Sequence, residues 1–272
     1  MTASLFRVEK NTLKQDVKWV DASWHMPSEK RDAQAEYARE HIPGAVFFNL
    51  DDISDPDSPY PHMLPSPERF AEKISALGIS NDDHVVVYDT AGLFSAPRAW
   101  WMFRVFGHNS VSVLDGGLPQ WKADGLPLEQ GIVQPSAVPF ISRFRPELVR
   151  SAQDILAAQE PVLDARSADR FHGRVAEPRP GLRSGHIPGS RNLPWNQLLD
   201  ASKTHFLPPG QLQAAFVAAG IDPAKPLITS CGSGVSACIL ALALDQLGQK
   251  DVAVYDGSWA EWGSRQDLPI FA

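Results

Sequence analysis

Short apolar runs recur along the chain, and most lack the alternation expected of a strand with one wet face. In the first half they are VKWVD, ending at Asp21, AVFFN, ending at Asn49, HVVVYD, ending at Asp89, and VSVLD, ending at Asp115. In the second half they are PVLDA, ending at Ala165, SRNLPW, ending at Trp195, PLITS, ending at Ser230, and DVAVYD, ending at Asp256. Runs of this length and character predict parallel strands buried on both faces. Helical patterns separate them. Ser66-Pro67-Glu68-Arg69 combines a cap residue, a proline in the first turn and an early acid, and Gly78 marks the stop. Pro208-Pro209 to Gly220 is its counterpart, with AAFVAA as the apolar body. Val235 to Leu247 is apolar almost all round, which predicts a buried helix ended by Gly248.

The pattern occurs twice. His41-Ile42-Pro43-Gly44 returns as His186-Ile187-Pro188-Gly189, and Val20-Asp21-Ala22 as Leu163-Asp164-Ala165. VVVYD, ending at Asp89, aligns with LITSC, ending at Cys231, and VLDGGLPQW with VYDGSWAEW. The offsets run from 141 (Trp121 to Trp262) to 145 (His41 to His186), and the four pairs keep their order. Four collinear matches imply a duplicated unit. Strand–helix alternation in each copy predicts an α/β fold, each copy a mostly parallel sheet with helices on both faces. We place copy one at residues 1–130 and copy two at 147–272. Residues 131–146, GIVQPSAVPFISRFRP, read as a linker, because they are proline-bearing and lack a helical period.

Composition narrows the function classes. The 272 residues carry 32 acidic and 25 basic side chains, a formal charge of −7, which argues against a nucleic-acid partner. A small anionic substrate stays open, since a local arginine cluster can sit on an acidic protein. No apolar run approaches a membrane span. The N-terminal stretch is polar without an apolar centre, so the expectation is no signal peptide, no membrane and a cytoplasmic location. The two cysteines, Cys231 and Cys238, support neither a disulfide scaffold nor a four-cysteine metal site, so no metal is expected.

The strongest chemical signal is Cys231-Gly232-Ser233-Gly234-Val235-Ser236, between a buried strand and a buried helix. The carboxyl end of a parallel strand is where α/β proteins place ligands. Two glycines let backbone N–H groups turn inward as an anion cradle, and the following helix start adds positive potential. Such a loop suits a thiolate nucleophile. Cys238, in the apolar helix, reads as a core residue. Copy one has Asp89 at the position of Cys231, so copy two alone is expected to be catalytic. Cysteine phosphatases need an arginine six residues after the nucleophile, and here that residue is Ala237. No acyl-transfer motif accompanies His62 or His186. Sulfur transfer remains: an inward N–H nest suits the anionic outer sulfur of a persulfide.

The double copy, the HIPG repeats and the loop CGSGVSA resemble the two-domain rhodanese superfamily, and the neutral Gly-Ser-Gly after the cysteine resembles its 3-mercaptopyruvate sulfurtransferase branch. Thiosulfate-specific members typically carry basic residues there. The resemblance implies two tandem rhodanese-like domains, a Cys231 persulfide and no cofactor. The sulfur donor would be small and anionic, 3-mercaptopyruvate. The acceptor would be a thiol, cyanide or a small redox protein. The resemblance also implies that Arg170 and Arg179 bind the donor's carboxylate and carbonyl. It places Gly232, Ser233, Gly234, Val235 and Ser236 around the sulfur, and His62 and Asp51 near Ser233 as a proton relay. Two departures stand out: Ser236 where the family usually has threonine, and His172 where arginine is common. The histidines His41 and His186 occur in both copies and read as architectural. The rival readings are a thiosulfate sulfurtransferase and, without catalysis, a persulfide carrier. A pure carrier would not need the Arg170 and Arg179 pair.

Overall fold

The structure, a computed structural model, describes residues 4–7 and 16–271. Most of the N-terminal stretch read above therefore lies outside the described residues. Contacts divide the chain into two compact units. Unit 1 comprises residues 1–56, 65–145 and 202–205, and unit 2 comprises 57–64, 146–201 and 206–272. The segment read as a linker packs mostly in unit 1. Its Val138 and Arg143 amides donate to Ser75 O (3.1 Å) and Phe106 O (2.9 Å), and Phe140 is buried.

Unit 1 holds strands β1 (Leu5–Phe6), β2 (Lys18–Asp21), β3 (Val46–Phe47), β4 (Val85–Tyr88) and β5 (Val111–Leu114). Its helices are α1 (Ala33–Arg39), α2 (Leu50–Ile53), α3 (Pro67–Ala76), α4 (Ala96–Val105) and α5 (Gly117–Ala123). Unit 2 holds β6 (Val149–Arg150), β7 (Val162–Asp164), β8 (Arg191–Asn192), β9 (Leu227–Ser230) and β10 (Val252–Tyr255). Its helices are α6 (Ala152–Ala157), α7 (Ala168–Phe171), α8 (Pro209–Ala218), α9 (Ala237–Gln246) and α10 (Ser258–Trp262).

The sheets run β1-β5-β4-β2-β3 and β6-β10-β9-β7-β8, one permutation used twice, and every pairing within them is parallel. The central strands β4, β5, β9 and β10 are buried along their whole length, as their unbroken apolar runs require. The Ser66 side chain caps α3 by accepting the Arg69 amide, and Gly78 follows the helix at φ +66°. The buried helix of copy two starts at Ala237 rather than Val235. Gly234, at φ +77°, opens a turn that Val235 and Ser236 complete. Both β1 and β6 are two-residue edge strands absent from the sequence reading.

Equivalent apolar clusters sit against each sheet. Trp19 meets Trp121 edge to face in unit 1, their ring centres 5.2 Å apart, and Tyr255 meets Trp262 in unit 2 at 6.1 Å. The two HIPG histidines act alike. His41 stacks on Tyr37 and places Nδ1 against Tyr37 O at 2.9 Å; His186 stacks on Phe171 with Nδ1 against Phe171 O at 2.9 Å. Each also bridges, antiparallel, to the trailing segment of its copy, at Glu129 and Phe271. No described helix is long and apolar enough to cross a membrane.

Candidate active site

In unit 2, β9 ends at Ser230 and delivers Cys231 to the carboxyl end of the sheet. Cys231 is a free thiol, about 1% exposed. The neighbouring turn after β10 fastens its backbone on both sides. The Cys231 amide donates to Ser258 Oγ (3.1 Å), and the Cys231 carbonyl accepts from the Trp259 amide (2.9 Å). The Gly232 carbonyl accepts from the Ala260 amide at 2.8 Å. Cys238 is likewise free but lies in the first turn of α9, fully buried, its Sγ against Gly234 O at 3.2 Å. That is the environment of a core side chain.

Ser233 is the polar centre of the loop. His62 Nδ1 lies 3.0 Å from its Oγ, and Arg179 Nη2 donates to the same oxygen at 3.4 Å. The hydroxyl oxygen can accept from Arg179 while sharing one proton with His62 Nδ1, in the direction the imidazole tautomer sets. His62 belongs to unit 2 although it follows copy-one sequence, because residues 57–64 pack there. Its segment is tied down by the Leu64 amide, which donates to Asp256 Oδ2 at 2.7 Å. His62 is buried and sits at φ +63°, a conformation a side-chain-bearing residue adopts only when its surroundings impose it. Asp51 belongs to unit 1, where it is exposed in the first turn of α2 beneath the Asn49 cap.

Arg170, on α7, lies along the loop at Gly232. A methyl group in place of a Gly232 hydrogen would stand 3.1 Å from Arg170 Nη2, so glycine here admits the guanidinium. Arg170 is not isolated: Nη2 and Nε donate to Glu177 at 2.5 and 3.3 Å. Glu177 also accepts from Arg166 Nη1 at 2.8 Å, and Arg166 forks onto Asp164 at 2.7 and 2.9 Å. The Arg166 side chain is fully buried and lies 4.2 Å above the centre of the Trp259 ring. A continuous chain of alternating charges thus runs from the end of β7 to the cysteine loop. Breaking a buried pair of this kind strands a charge, at a cost of about 3–5 kcal/mol.

The sequence reading singled out neither Arg166, Glu177 nor Ser258. Glu177 lies between Arg170 and Arg179 in the sequence, and an acid between two arginines was the available signal. Among the described residues no cluster of three or more His, Cys, Asp or Glu is arranged to hold a metal ion. What the site assembles is a buried thiol in a glycine-bearing loop, a hydroxyl shared by His62 and Arg179, and a second arginine against the loop.

Comparison with known proteins agrees with this architecture. The rhodanese-like domain family matches the chain twice, over residues 8–124 and 148–265. The chain therefore belongs to the rhodanese-like family, as two tandem copies. It is 47% identical to a 3-mercaptopyruvate sulfurtransferase of Escherichia coli, with 94% of this chain and 92% of that protein aligned. It is also 47% identical to a mitochondrial thiosulfate/3-mercaptopyruvate sulfurtransferase of Arabidopsis thaliana, covering 96% of this chain and 75% of the relative. The crystal structure of a 3-mercaptopyruvate sulfotransferase from Escherichia coli superposes with a TM-score of 0.86, at 42% identity, over 95% of this chain and 99% of that one.

Proposed function

We propose that the protein is a sulfurtransferase that takes sulfur from 3-mercaptopyruvate through a persulfide on Cys231. The observation that carries the reading is the Ser233 hydroxyl, held between His62 and Arg179 two residues beyond a buried free cysteine. The relatives' activities support it. Arg179 Nη2 and Arg170 present guanidinium groups suited to a carboxylate and an adjacent carbonyl. The Arg170 guanidinium is held in place by Glu177.

The Cys231 thiolate attacks the donor sulfur. The sulfur–carbon bond breaks, and its electron pair passes to the pyruvate enolate. The sulfhydryl proton of the donor is released from the new persulfide, and the enolate carbon takes up one proton, so Cys–S⁻ and mercaptopyruvate become Cys–S–S⁻ and pyruvate without net proton change. Ser233 and His62 form the proton path in this proposal, and Gly232, Gly234, Val235 and Ser236 line the sulfur. Asp51 is kept as a further relay carboxylate on the family resemblance alone. A thiolate acceptor then attacks the outer sulfur and restores Cys231.

The thiosulfate reading shares the Cys231 persulfide and its discharge to an acceptor, but there the donor's S–S bond breaks, sulfite leaves and no enolate takes up a proton. The loop Gly232–Ser236 offers no cationic side chain of its own to a dianion, whereas a mercaptopyruvate carboxylate meets two arginines. The deciding measurement is steady-state turnover with each donor. The expected result is a kcat/KM at least about tenfold higher for 3-mercaptopyruvate, a difference of about 1.4 kcal/mol in transition-state binding. Equal or better use of thiosulfate would transfer the protein to the other donor class.

A further inference from the structure

Ser258, a residue outside the cysteine loop, occupies a backbone position that serine rarely takes. It opens α10 at φ +49° and is fully buried. A non-glycine residue in the left-handed region is strained, and such strain persists where the surroundings over-determine it. Copy one shows what the turn needs. The equivalent residue is Gly117, at φ +55°, and the following amide does the same work in both copies: Leu118 N–H donates to Asp89 O at 3.1 Å, and Trp259 N–H to Cys231 O at 2.9 Å. The left-handed residue is thus part of the fold, and glycine satisfies it without strain. In copy one a side chain there would meet Asp89 O at 2.6 Å and Gly92 Cα at 2.8 Å. Copy two admits a side chain and uses it.

That side chain has two partners. Ser258 Oγ donates to Tyr255 O at 2.8 Å, at the end of β10, and accepts the Cys231 amide at 3.1 Å. Together with the Trp259 amide on the Cys231 carbonyl, adjacent residues 258 and 259 hold both backbone polar groups of the cysteine. We propose that Ser258 is a positioning residue for the Cys231 nucleophile, fixing the backbone from which the sulfur projects. The strained serine is retained because a glycine, though easier for the turn, would leave the Cys231 N–H unheld. The proposal rests on Cys231 as the nucleophile, which is tested separately below.

Ser258→Gly keeps the left-handed turn and removes Oγ, while Ser258→Ala keeps the strain and removes Oγ. Three quantities are read: melting temperature, kcat and KM for 3-mercaptopyruvate, and the rate at which iodoacetamide alkylates Cys231, which needs no sulfur donor. In the glycine variant the melting temperature should stay within about 3 °C of the native value. Loss of one hydrogen bond at the nucleophile should lower kcat and the alkylation rate by about threefold to tenfold, with KM within about twofold. The alanine variant should lose the same activity and also melt lower. Stability then orders serine and glycine above alanine, while activity orders serine above both. A glycine variant with native kcat and native alkylation rate would overturn the proposal. So would activity that falls only in proportion to the folded fraction in both variants. If the glycine variant does not fold, the folded fraction of the alanine variant decides on the same alkylation rate. Mass spectrometry of the native protein after donor treatment tests the underlying reading: persulfide on a residue other than Cys231 would overturn that reading, whatever the Ser258 variants do.

Discussion

After β4 the chain turns through Asp89–Ser95 before α4, and after β9 it turns through Cys231–Ser236 before α9, seven residues against six. Strand, turn and buried helix correspond; the occupant of the turn does not. In copy one Asp89 folds back into its own loop. Its carboxylate accepts the amides of Phe94, Ser95 and Ala96 on one oxygen, at 2.8, 2.9 and 2.8 Å, and that of Ala91 on the other, at 3.0 Å. This strand–turn–helix is therefore a competent anion cradle, and copy one closes it with a fixed internal anion. Copy two puts a sulfur at the same place. The comparison teaches that one turn accommodates two occupants: in copy one its amides converge on the Asp89 carboxylate, and in copy two the same position carries the Cys231 thiol.

The sharpest way to break the comparison is at the cysteine itself. Cys231→Ser should lower sulfur transfer by at least about a thousandfold, on the order of 4 kcal/mol in barrier, while Cys238→Ser keeps most of the activity. Donor treatment should add the mass of one sulfur atom to the native protein and to the Cys238 variant, and none to the Cys231 variant. Next comes the fixed anion. Asp89→Ala leaves four amides of a buried loop without their acceptor, and should destabilise the protein by about 3–5 kcal/mol in chemical denaturation. Sulfur transfer per folded molecule should change little, which separates the structural anion from the reactive one.

A third contrast lies at the ends of β2 and β7. Asp164 has Arg166 beside it, whereas Asp21, its counterpart, has Ser23. Burial therefore pushes the Asp21 carboxyl up to about 6, and the nearby Asp89 charge adds to the rise. A carboxyl whose folded value lies above its ordinary value of 3.8 stabilises the fold fully below that value, and the benefit is lost as pH rises through about 6. Asp21→Asn should thus gain on the order of 3 kcal/mol over the native protein at pH 8 and nothing at pH 3.5, read from denaturation midpoints at the two pH values. The smallest expected effects are at the two arginines. Arg179→Lys keeps the charge but loses the guanidinium fork, and kcat/KM for 3-mercaptopyruvate should fall by about 10- to 150-fold, about 1.5–3 kcal/mol. Arg170→Lys should behave similarly in substrate binding. An equal loss with a donor lacking a carboxylate would mean that Arg179 supports the loop rather than the substrate.

The fold was legible wherever burial was continuous. VVVY, VSVL, LITS and VAVY announce central parallel strands because both faces are covered, and the repeated HIPG announces the duplication. The edge strands β1 and β6 were invisible because they lie outside the apolar runs, whereas the equally short β3 and β8 fall within AVFFN and SRNLPW. At the site, Cys231 and its glycines were legible because the chemistry demands a local motif. Arg166, Glu177 and Ser258 were not, because they meet the loop through tertiary contacts. Arg166 reads as one more loop arginine until Trp259 lies under it, and Ser258 reads as a turn serine until its φ is known. The assignment of residues 57–64 to unit 2 is equally a tertiary fact: only their packing shows that His62 belongs with Ser233.

The HIPG histidines carry one more consequence. In each copy the ring is stacked on an aromatic residue, and its backbone is paired with the stretch that follows the last helix, Glu129 in one case and Phe271 in the other. Each copy thereby clasps its own tail to its own middle. A module that ties off its own loose end can be copied in tandem without inventing new contacts to finish the first copy, and the second is then free to vary. The two self-fastened copies then differ at one turn, where copy one holds the Asp89 carboxylate and copy two the Cys231 thiol.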